Sequence, residues 1–164
     1  MMGHVTQVSL GPGGVPNYPV DEAFCSPLGL DGDHHLHPEF HGGPKQALLL
    51  VSSELLEQLR EDRWPLYPGA LGENLTTQGI DFRQVRMGQR YRVGEAIIEI
   101  SKVRQPCQTL SPYGQGIQKA IFDERCKAND HTSPLWGLSG FYARVIQTGT
   151  LRTGDPIQLL DQVA

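Results

Sequence analysis

The sequence lacks the features that would place the protein in a membrane or on a nucleic acid. Its longest apolar run is "ALLLV" at 47–51, far short of the about 20 residues that a membrane-spanning helix needs. No basic stretch followed by an apolar core opens the chain, so no signal peptide is predicted. The formal net charge is −4 and long basic runs are missing, which argues against a nucleic-acid partner. We expect a soluble, cytoplasmic protein with neither a membrane nor a nucleic-acid partner.

Cysteine is also scarce, and several familiar catalytic motifs are missing. The three cysteines, Cys25, Cys107 and Cys126, are odd in number and widely spaced. This spacing argues against a disulfide framework, and without a C-x-x-C pair neither a zinc ribbon nor a thioredoxin-like site is predicted. The chain has no G-x-S-x-G, P-loop or G-x-G-x-x-G motif, which argues against the hydrolase and nucleotide-binding classes that use them.

Glycine and proline, by contrast, are abundant. With 19 glycines and 12 prolines in 164 residues, the chain should turn often and form many short strands. This pattern favours a mainly β or α+β fold, a closed β-barrel with a few helices. The length suits a single domain over 1–164, with its core at about 5–160.

The individual elements follow from periodicity and turn signals. Alternation predicts strands at Val5–Leu10, 47–51, Phe141–Val145 and Ile157–Leu160 and a hairpin of 91–93 with 96–101 around Gly94-Glu95. Helical spacing predicts one helix after a Ser53 cap, with Leu55, Leu56 and Leu59 on its apolar face, and another over "GIQKAIFDERCKA" at 116–128. Residues 11–46, rich in glycine, proline, histidine and aspartate, are interpreted as long irregular loops.

The stretch "SKVRQPCQTL" at 101–110 is the strongest chemical signal. It places Cys107 directly after Pro106 and three residues after Arg104, where a strand ends. An arginine can hold a phosphate with two parallel N–H bonds, and its positive charge would favour the thiolate form of Cys107. A thiolate binds a soft metal or attacks an electrophile. A buried structural cysteine is the equally weighted alternative.

Two other loops carry polar groups suited to a ligand. In "GENLTT" at 72–77, Asn74, Thr76 and Thr77 present an amide and two hydroxyls, which suit a phosphate or heterocycle but equally a self-bonded turn. In "HGGP" at 41–44, Gly42 and Gly43 let the backbone approach a ligand and offer amide N–H groups. Cys107 with His41 could form a thiol–imidazole dyad.

In order along the chain, these stretches resemble the MOSC domain, the family named for the C-terminal domain of molybdenum cofactor sulfurases. The resemblance covers about 5–160 and rests on "GD" at 32–33, "HGGP" at 41–44, "LGENLTT" at 71–77, "VGEAIIEISKVRQPCQTL" at 93–110 and "GFYARVIQTGTLRTGD" at 140–155. It is strongest to the small stand-alone bacterial members. It implies a distorted closed β-barrel like the barrel domain of pyruvate kinase, and binding of the molybdenum cofactor (molybdopterin).

Carried over by motif, the resemblance makes Cys107 the thiolate ligand of molybdenum, with Arg104 beside it in the pterin or phosphate pocket. Asn74, Thr76 and Thr77 would line the cofactor site and His41 would lie nearby, able to relay a proton. Acidic and amide positions that many members carry around "HGGP" are here His35, His37, Lys45 and Gln46, so details of that loop are not carried over.

Three functions follow as hypotheses. The first is reduction of N-hydroxylated compounds, such as hydroxylamino purines or amidoximes, with electrons from a separate protein, because flavin and iron–sulfur motifs are missing. The second is a carrier that delivers cofactor or sulfur without turnover, independent of the pyridoxal-phosphate type of sulfurase domain. The third is a zinc- or copper-binding protein that uses His34, His35, His37 and His41. The oligomeric state is left open.

Overall fold

A closed ring of seven β-strands organises the protein. The computed structural model describes residues 1–34 and 42–160. Its strands are β1 (Met2–Leu10), β2 (Tyr18–Val20), β3 (Glu22–Ser26), β4 (Gly29–Leu30), β5 (Leu48–Ser52), β6 (Leu75–Gln78), β7 (Arg90–Val93), β8 (Ala96–Val103), β9 (Phe141–Gln147), β10 (Gly149–Arg152) and β11 (Pro156–Leu159). Its α-helices are α1 (Ser53–Glu61), α2 (Ile117–Ile121) and α3 (Glu124–Lys127), and short 3-10 helices cover Pro44–Gln46, Phe82–Gln84 and Gln108–Tyr113.

The ring runs β11-β7-β8-β9-β5-β6-β1 and closes because β11 also pairs with β1. Strands β5 and β6 pair in parallel, and α1 lies between them in the chain, as a parallel crossover requires. The other pairs in the ring are antiparallel. The predicted closed β-barrel is therefore confirmed. Side chains from all seven strands contribute to one hydrophobic core.

The prediction of irregular loops over 11–46 was wrong in part. Strand β2 extends the barrel sheet by pairing with β1, and β3 pairs with β4 and with the distant β10 in a separate three-stranded sheet. Local composition conceals these strands, because their partners lie far away in the chain. Within β3, Ala23 and Cys25 are buried and alternate with exposed neighbours. Strand β10 was missed for the same reason.

Helix α1 confirms the predicted apolar face but corrects its cap. Leu55, Leu56 and Leu59 are buried. The N-cap is Ser52, whose Oγ accepts a hydrogen bond from the Leu55 backbone N–H at 3.2 Å, and Ser53 is the first helical residue. The strand before it ends one residue later than predicted, so the capping position moves accordingly.

The predicted helix over 116–128 is broken in two. Phe122 and Asp123 adopt extended backbone between α2 and α3. The Asp123 carboxylate accepts hydrogen bonds from the Cys126 backbone N–H and the Ser133 hydroxyl, both at 2.8 Å. An aspartate stabilises a helix at its N-cap and is unfavourable in the interior. Asp123 therefore ends one helix and starts the next.

The predicted hairpin of β7 and β8 is confirmed around Gly94-Glu95, where Gly94 has φ 53°. None of the helices in the described part of the chain has both the length and the apolarity to cross a bilayer.

Candidate functional site

A small cavity lies where the end of β8 meets the loop before β6. It has a volume of about 50 Å³, room for one or two water molecules. Residues from six separate segments line it, among them Asn17, Asp33, Gly42, Asn74, Arg104, Thr109 and Tyr142. The barrel therefore brings three of the predicted stretches, "HGGP", "GENLTT" and "RQPC", to one place.

Arg104 braces the wall of this cavity. Its side chain is buried, with 4% exposed. Nη2 donates to the Leu71 carbonyl at 2.9 Å and Nη1 to the Ser139 carbonyl at 3.3 Å. The guanidinium thus ties the loop before β6 to the turn before β9 and keeps a permanent positive charge at the cavity. Its predicted contact with a phosphate or pterin stays a prediction.

Asn74 lines the cavity, but its amide joins three protein segments. Oδ1 accepts from the Leu49 backbone N–H at 3.0 Å, and Nδ2 donates to the Asp33 carboxylate at 2.9 Å. Nδ2 also reaches the Ser9 carbonyl at 3.4 Å. These bonds fix the loop in place, and contact of Asn74 with a cofactor stays a prediction.

Thr76 and Thr77 do not line the cavity. Both are fully buried in β6, and consecutive strand residues point to opposite faces. The Thr76 hydroxyl donates to Glu73 Oε2 at 2.8 Å. The Thr77 hydroxyl has no hydrogen-bond partner among the described residues. In this structure both threonines are part of the barrel wall. Their contact with a cofactor stays a prediction.

Glu73 is a buried carboxylate to which the sequence interpretation assigned no role. It is fully buried and accepts hydrogen bonds from the backbone N–H groups of Gly69 and Leu71, at 3.0 and 3.2 Å, besides the one from Thr76. Burial raises its pKa above the ordinary value, while these hydrogen bonds and the charge of Arg104 act in the opposite direction. Glu73 therefore shapes the loop that carries Gly72 and Asn74 from inside.

Cys107 is the accessible cysteine of the chain. It is half-buried just beyond β8, whereas Cys25 and Cys126 are buried. Its Sγ lies 3.0 Å from Oγ1 of Thr109, which lines the cavity. Its carbonyl accepts a hydrogen bond from Gln118 at 3.1 Å. The sulfur therefore lies next to the cavity wall, and both its backbone and its side chain are held.

Tyr142, which belongs to the strand predicted at Phe141–Val145, also lines the cavity. Burial raises its pKa; the positive charge of Arg104 lowers it and the neighbouring Cys107 raises it. Thr109 was missed because nothing in its local sequence marks it. Alternation along β9 with the core residue Phe141 was the available signal for Tyr142, since it places the two on opposite faces.

The histidine-rich stretch is only partly described. Gly42 lines the cavity, and Gly43, with φ 84°, leads into the 3-10 helix at Pro44–Gln46. His34 also lines the cavity. The predicted roles of His35, His37 and His41 concern residues outside the described ranges. Within those ranges, no group of three or more histidine, cysteine or carboxylate side chains could hold a metal ion.

Comparison with known proteins identifies the family. The model of the MOSC domain matches residues 37–158. The chain is 30% identical over 160 residues to Protein YiiM of Escherichia coli, covering 93% of this chain and 66% of that protein. It is 31% identical over 144 residues to a protein named Reductase from Gibberella moniliformis, covering 85% of this chain and 24% of that protein. The chain thus spans less than two thirds of the length of either curated relative.

A solved structure agrees with the sequence match. The crystal structure of YiiM from Geobacillus stearothermophilus superimposes with a TM-score of 0.74 at 27% identity, covering 98% of this chain and 76% of that one. The resemblance inferred from the five motifs is confirmed, and this chain belongs to the MOSC domain family.

Proposed function

We propose that the protein binds the molybdenum cofactor through the Cys107 thiolate and reduces N-hydroxylated compounds with electrons from a separate protein. One observation carries the proposal. In a chain of the MOSC family, the accessible cysteine lies with its sulfur against a residue of a cavity wall that also holds a buried arginine.

The residues present fit such a group in kind. A thiolate is a soft ligand that suits a metal already held by sulfur, and the Arg104 guanidinium supplies the positive charge that a terminal phosphate seeks. The enclosed volume of about 50 Å³ is smaller than a pterin. The cofactor would therefore lie across the mouth of the cavity, with its anionic groups toward Arg104.

Three residues in or beside the cavity wall have separate roles in this proposal. Cys107 would hold the metal, and Gln118 would keep the cysteine backbone in place through its 3.1 Å hydrogen bond. Tyr142 is protonated at neutral pH, because burial raises its pKa, so its hydroxyl can donate a hydrogen bond to a bound oxygen or nitrogen. The cofactor, when bound, would supply the two-electron redox chemistry that these side chains lack.

A separate protein would supply the electrons, because the sequence carries no flavin or iron–sulfur motif. The MOSC-like region of the Gibberella protein named Reductase is about a quarter of that chain. This supports the proposal that a MOSC region works as one part of a larger reducing system.

Metal and pterin analysis tests the proposal. The protein is produced in a host that makes the cofactor, and wild type is compared with Cys107→Ala and, as a matched control, with the buried Cys126→Ala. Near-stoichiometric molybdenum in wild type and Cys126→Ala, lost in Cys107→Ala, is expected. Equal molybdenum in all three would refute Cys107 as the ligand, and none in wild type would refute cofactor binding.

Turnover is tested on loaded protein with a hydroxylamino purine and an artificial reductant, so that the natural electron donor is not needed. Formation of the amino purine is expected, and it should disappear in Cys107→Ala. Loaded protein that reduces no N-hydroxylated compound would contradict the enzymatic part and leave delivery of the cofactor as the function.

A further inference from the structure

A second, larger groove lies on another part of the surface. It has a volume of about 190 Å³. Nine residues line it: Met87, Ser101, Lys102, Val103, Gln105, Phe122, Cys126, Lys127 and Asn129. We call it the Lys102–Lys127 groove. It shares no lining residue with the cavity beside Arg104, and the proposed function does not use it.

The break between α2 and α3 contributes to this groove. Phe122 is extended at the break and only half-buried, so its ring is available to the groove. Asp123 then caps α3, and that helix carries Cys126 and Lys127. Phe122, Cys126 and Lys127 all line the groove.

The groove combines an apolar floor with a cationic rim. Val103 and Cys126 are buried, and with Met87 and Phe122 they offer apolar and polarisable surface. Lys102 and Lys127 are exposed, and neither side-chain ammonium group forms an ion pair or hydrogen bond with another residue in the described ranges. None of the nine lining residues is acidic, in a chain whose acidic residues outnumber its basic ones by 18 to 14.

We propose that the Lys102–Lys127 groove binds a small aromatic carboxylate. An apolar cavity of roughly 150 Å³ holds a benzene ring, so a groove of about 190 Å³ has room for one ring and its carboxylate. The ring packs on Met87 and Phe122. The carboxylate binds between the ammonium groups of the two lysines. Charge-assisted hydrogen bonds give the anion its advantage over a neutral ring of the same shape.

Methionine provides a direct probe of this groove. The chain has three methionines, two of them at its first positions, so Met87 is the single internal one. In protein labelled with ¹³C at the methionine methyl groups, the Met87 signal is assigned with Met87→Leu and followed during titration with sodium benzoate, with sodium chloride as the salt control. A bound ring shifts the signal through its ring current, and we expect saturation with a Kd of about 1 mM or tighter.

Two double variants distinguish the effect of the groove lysines from the effect of the net charge of the protein. Lys102→Gln/Lys127→Gln should weaken benzoate binding at least about fivefold. Lys45→Gln/Lys119→Gln removes the other two lysines of the chain and the same net charge, and should leave the affinity within about twofold. Benzamide, the neutral analogue, should bind at least about fivefold more weakly than benzoate to wild type.

Three results would overturn the proposal. They are a Met87 signal that does not move up to about 20 mM benzoate, equal affinity in the two double variants, and equal affinity for benzamide and benzoate. All four lysines are exposed, so both variants should fold as wild type does. The apo protein suffices for every measurement, so the result does not depend on whether the molybdenum cofactor binds.

Discussion

At the scale of single residues, the site depends on buried polar groups as much as on the cysteine. Cys107, Arg104 and Asn74 were predicted from the sequence as candidate site residues, because thiols, guanidinium groups and amides in loops are recognisable functional groups. Glu73 was not, although its carboxylate organises the same loop through three hydrogen bonds. The Glu73 side chain can organise the loop because it is completely buried. Burial cannot be predicted from the local sequence pattern.

Glu73 should make stability depend on pH in an unusual direction. Its pKa is raised in the folded protein from an ordinary value of 4.5. Between the ordinary and the raised pKa, the folded state binds more protons than the unfolded state, so the contribution of Glu73 to stability falls as pH rises through that window. The free energy of unfolding of wild type, measured relative to Glu73→Gln by urea denaturation, should therefore decrease as pH is raised from 4.5.

The comparison with Glu73→Gln isolates this effect from the exposed aspartates. Asp123 and Asp130 have lowered pKa values, that of Asp130 about 2. They contribute stability above their ordinary pKa of 3.8 that is lost as pH falls, in wild type and variant alike. A difference between the two proteins that is constant with pH, or that grows as pH rises, would show that burial does not dominate the ionisation of Glu73.

At the scale of secondary-structure elements, the break between α2 and α3 shows how one side chain overrides a periodic pattern. Ile117, Ala120 and Ile121 have helical spacing, and continuation of the helix through 128 was a reasonable prediction. Asp123 ends it by capping the next turn and by bonding Ser133. Ser133 lies ten residues away, so one of the two hydrogen bonds that hold the break comes from outside the segment.

Removal of this cap should destabilise the protein. Asp123→Ala loses the hydrogen bonds from Cys126 N–H and from the Ser133 hydroxyl, and we expect a lower free energy of unfolding and a melting temperature lower by a few degrees. Asp123→Asn keeps acceptor and donor groups and should lose less. Thermal and urea denaturation measure both.

Asp81→Ala is the matched control, because Asp81 is exposed and caps a 3-10 turn through a single side-chain hydrogen bond, from Arg83 N–H at 3.0 Å. If Asp123→Ala costs no more than Asp81→Ala, the break does not depend on the Asp123 carboxylate.

At the scale of the whole molecule, closure of the barrel depends on the first strand. β1 pairs with β11 through Met2, Gly3 and His4, and with β6 from His4 onward. Gly3 lies where these strands meet, and a Cβ at this position would overlap the carbonyl oxygen of Gln78. A glycine is therefore required here by the close approach of two backbones.

Gly3→Ala should weaken the closure. The backbone oxygen of Gln78 cannot move without disturbing β6, so we expect a loss of roughly 2 kcal/mol in the free energy of unfolding. Backbone hydrogen exchange should increase for the β1–β11 pairs above that in wild type. The neighbouring His4→Ala, at an exposed position, should change neither quantity by a comparable amount. Unchanged stability in Gly3→Ala would mean that the strands separate at no cost.

The sequence by itself determined the features that local pattern encodes. Turn residues and alternation indicated short strands, the leucine spacing of α1 indicated a helix, and the Arg-x-Pro-Cys corner marked Cys107. Five motifs in order identified the family. These signals are readable because each depends on neighbours within a few residues.

Only the tertiary structure decided which of these residues meet. Three features join parts of the chain that no local rule connects. They are the pairing of β3 with β10, the burial of Glu73, and the hydrogen bonds of Arg104 to the Leu71 and Ser139 carbonyls. The structure also placed Thr76 and Thr77 inside the barrel wall and opened the Lys102–Lys127 groove at a broken helix. Burial and long-range hydrogen bonds depend on the whole chain at once, and for that reason these features follow from the fold and not from any single stretch of sequence.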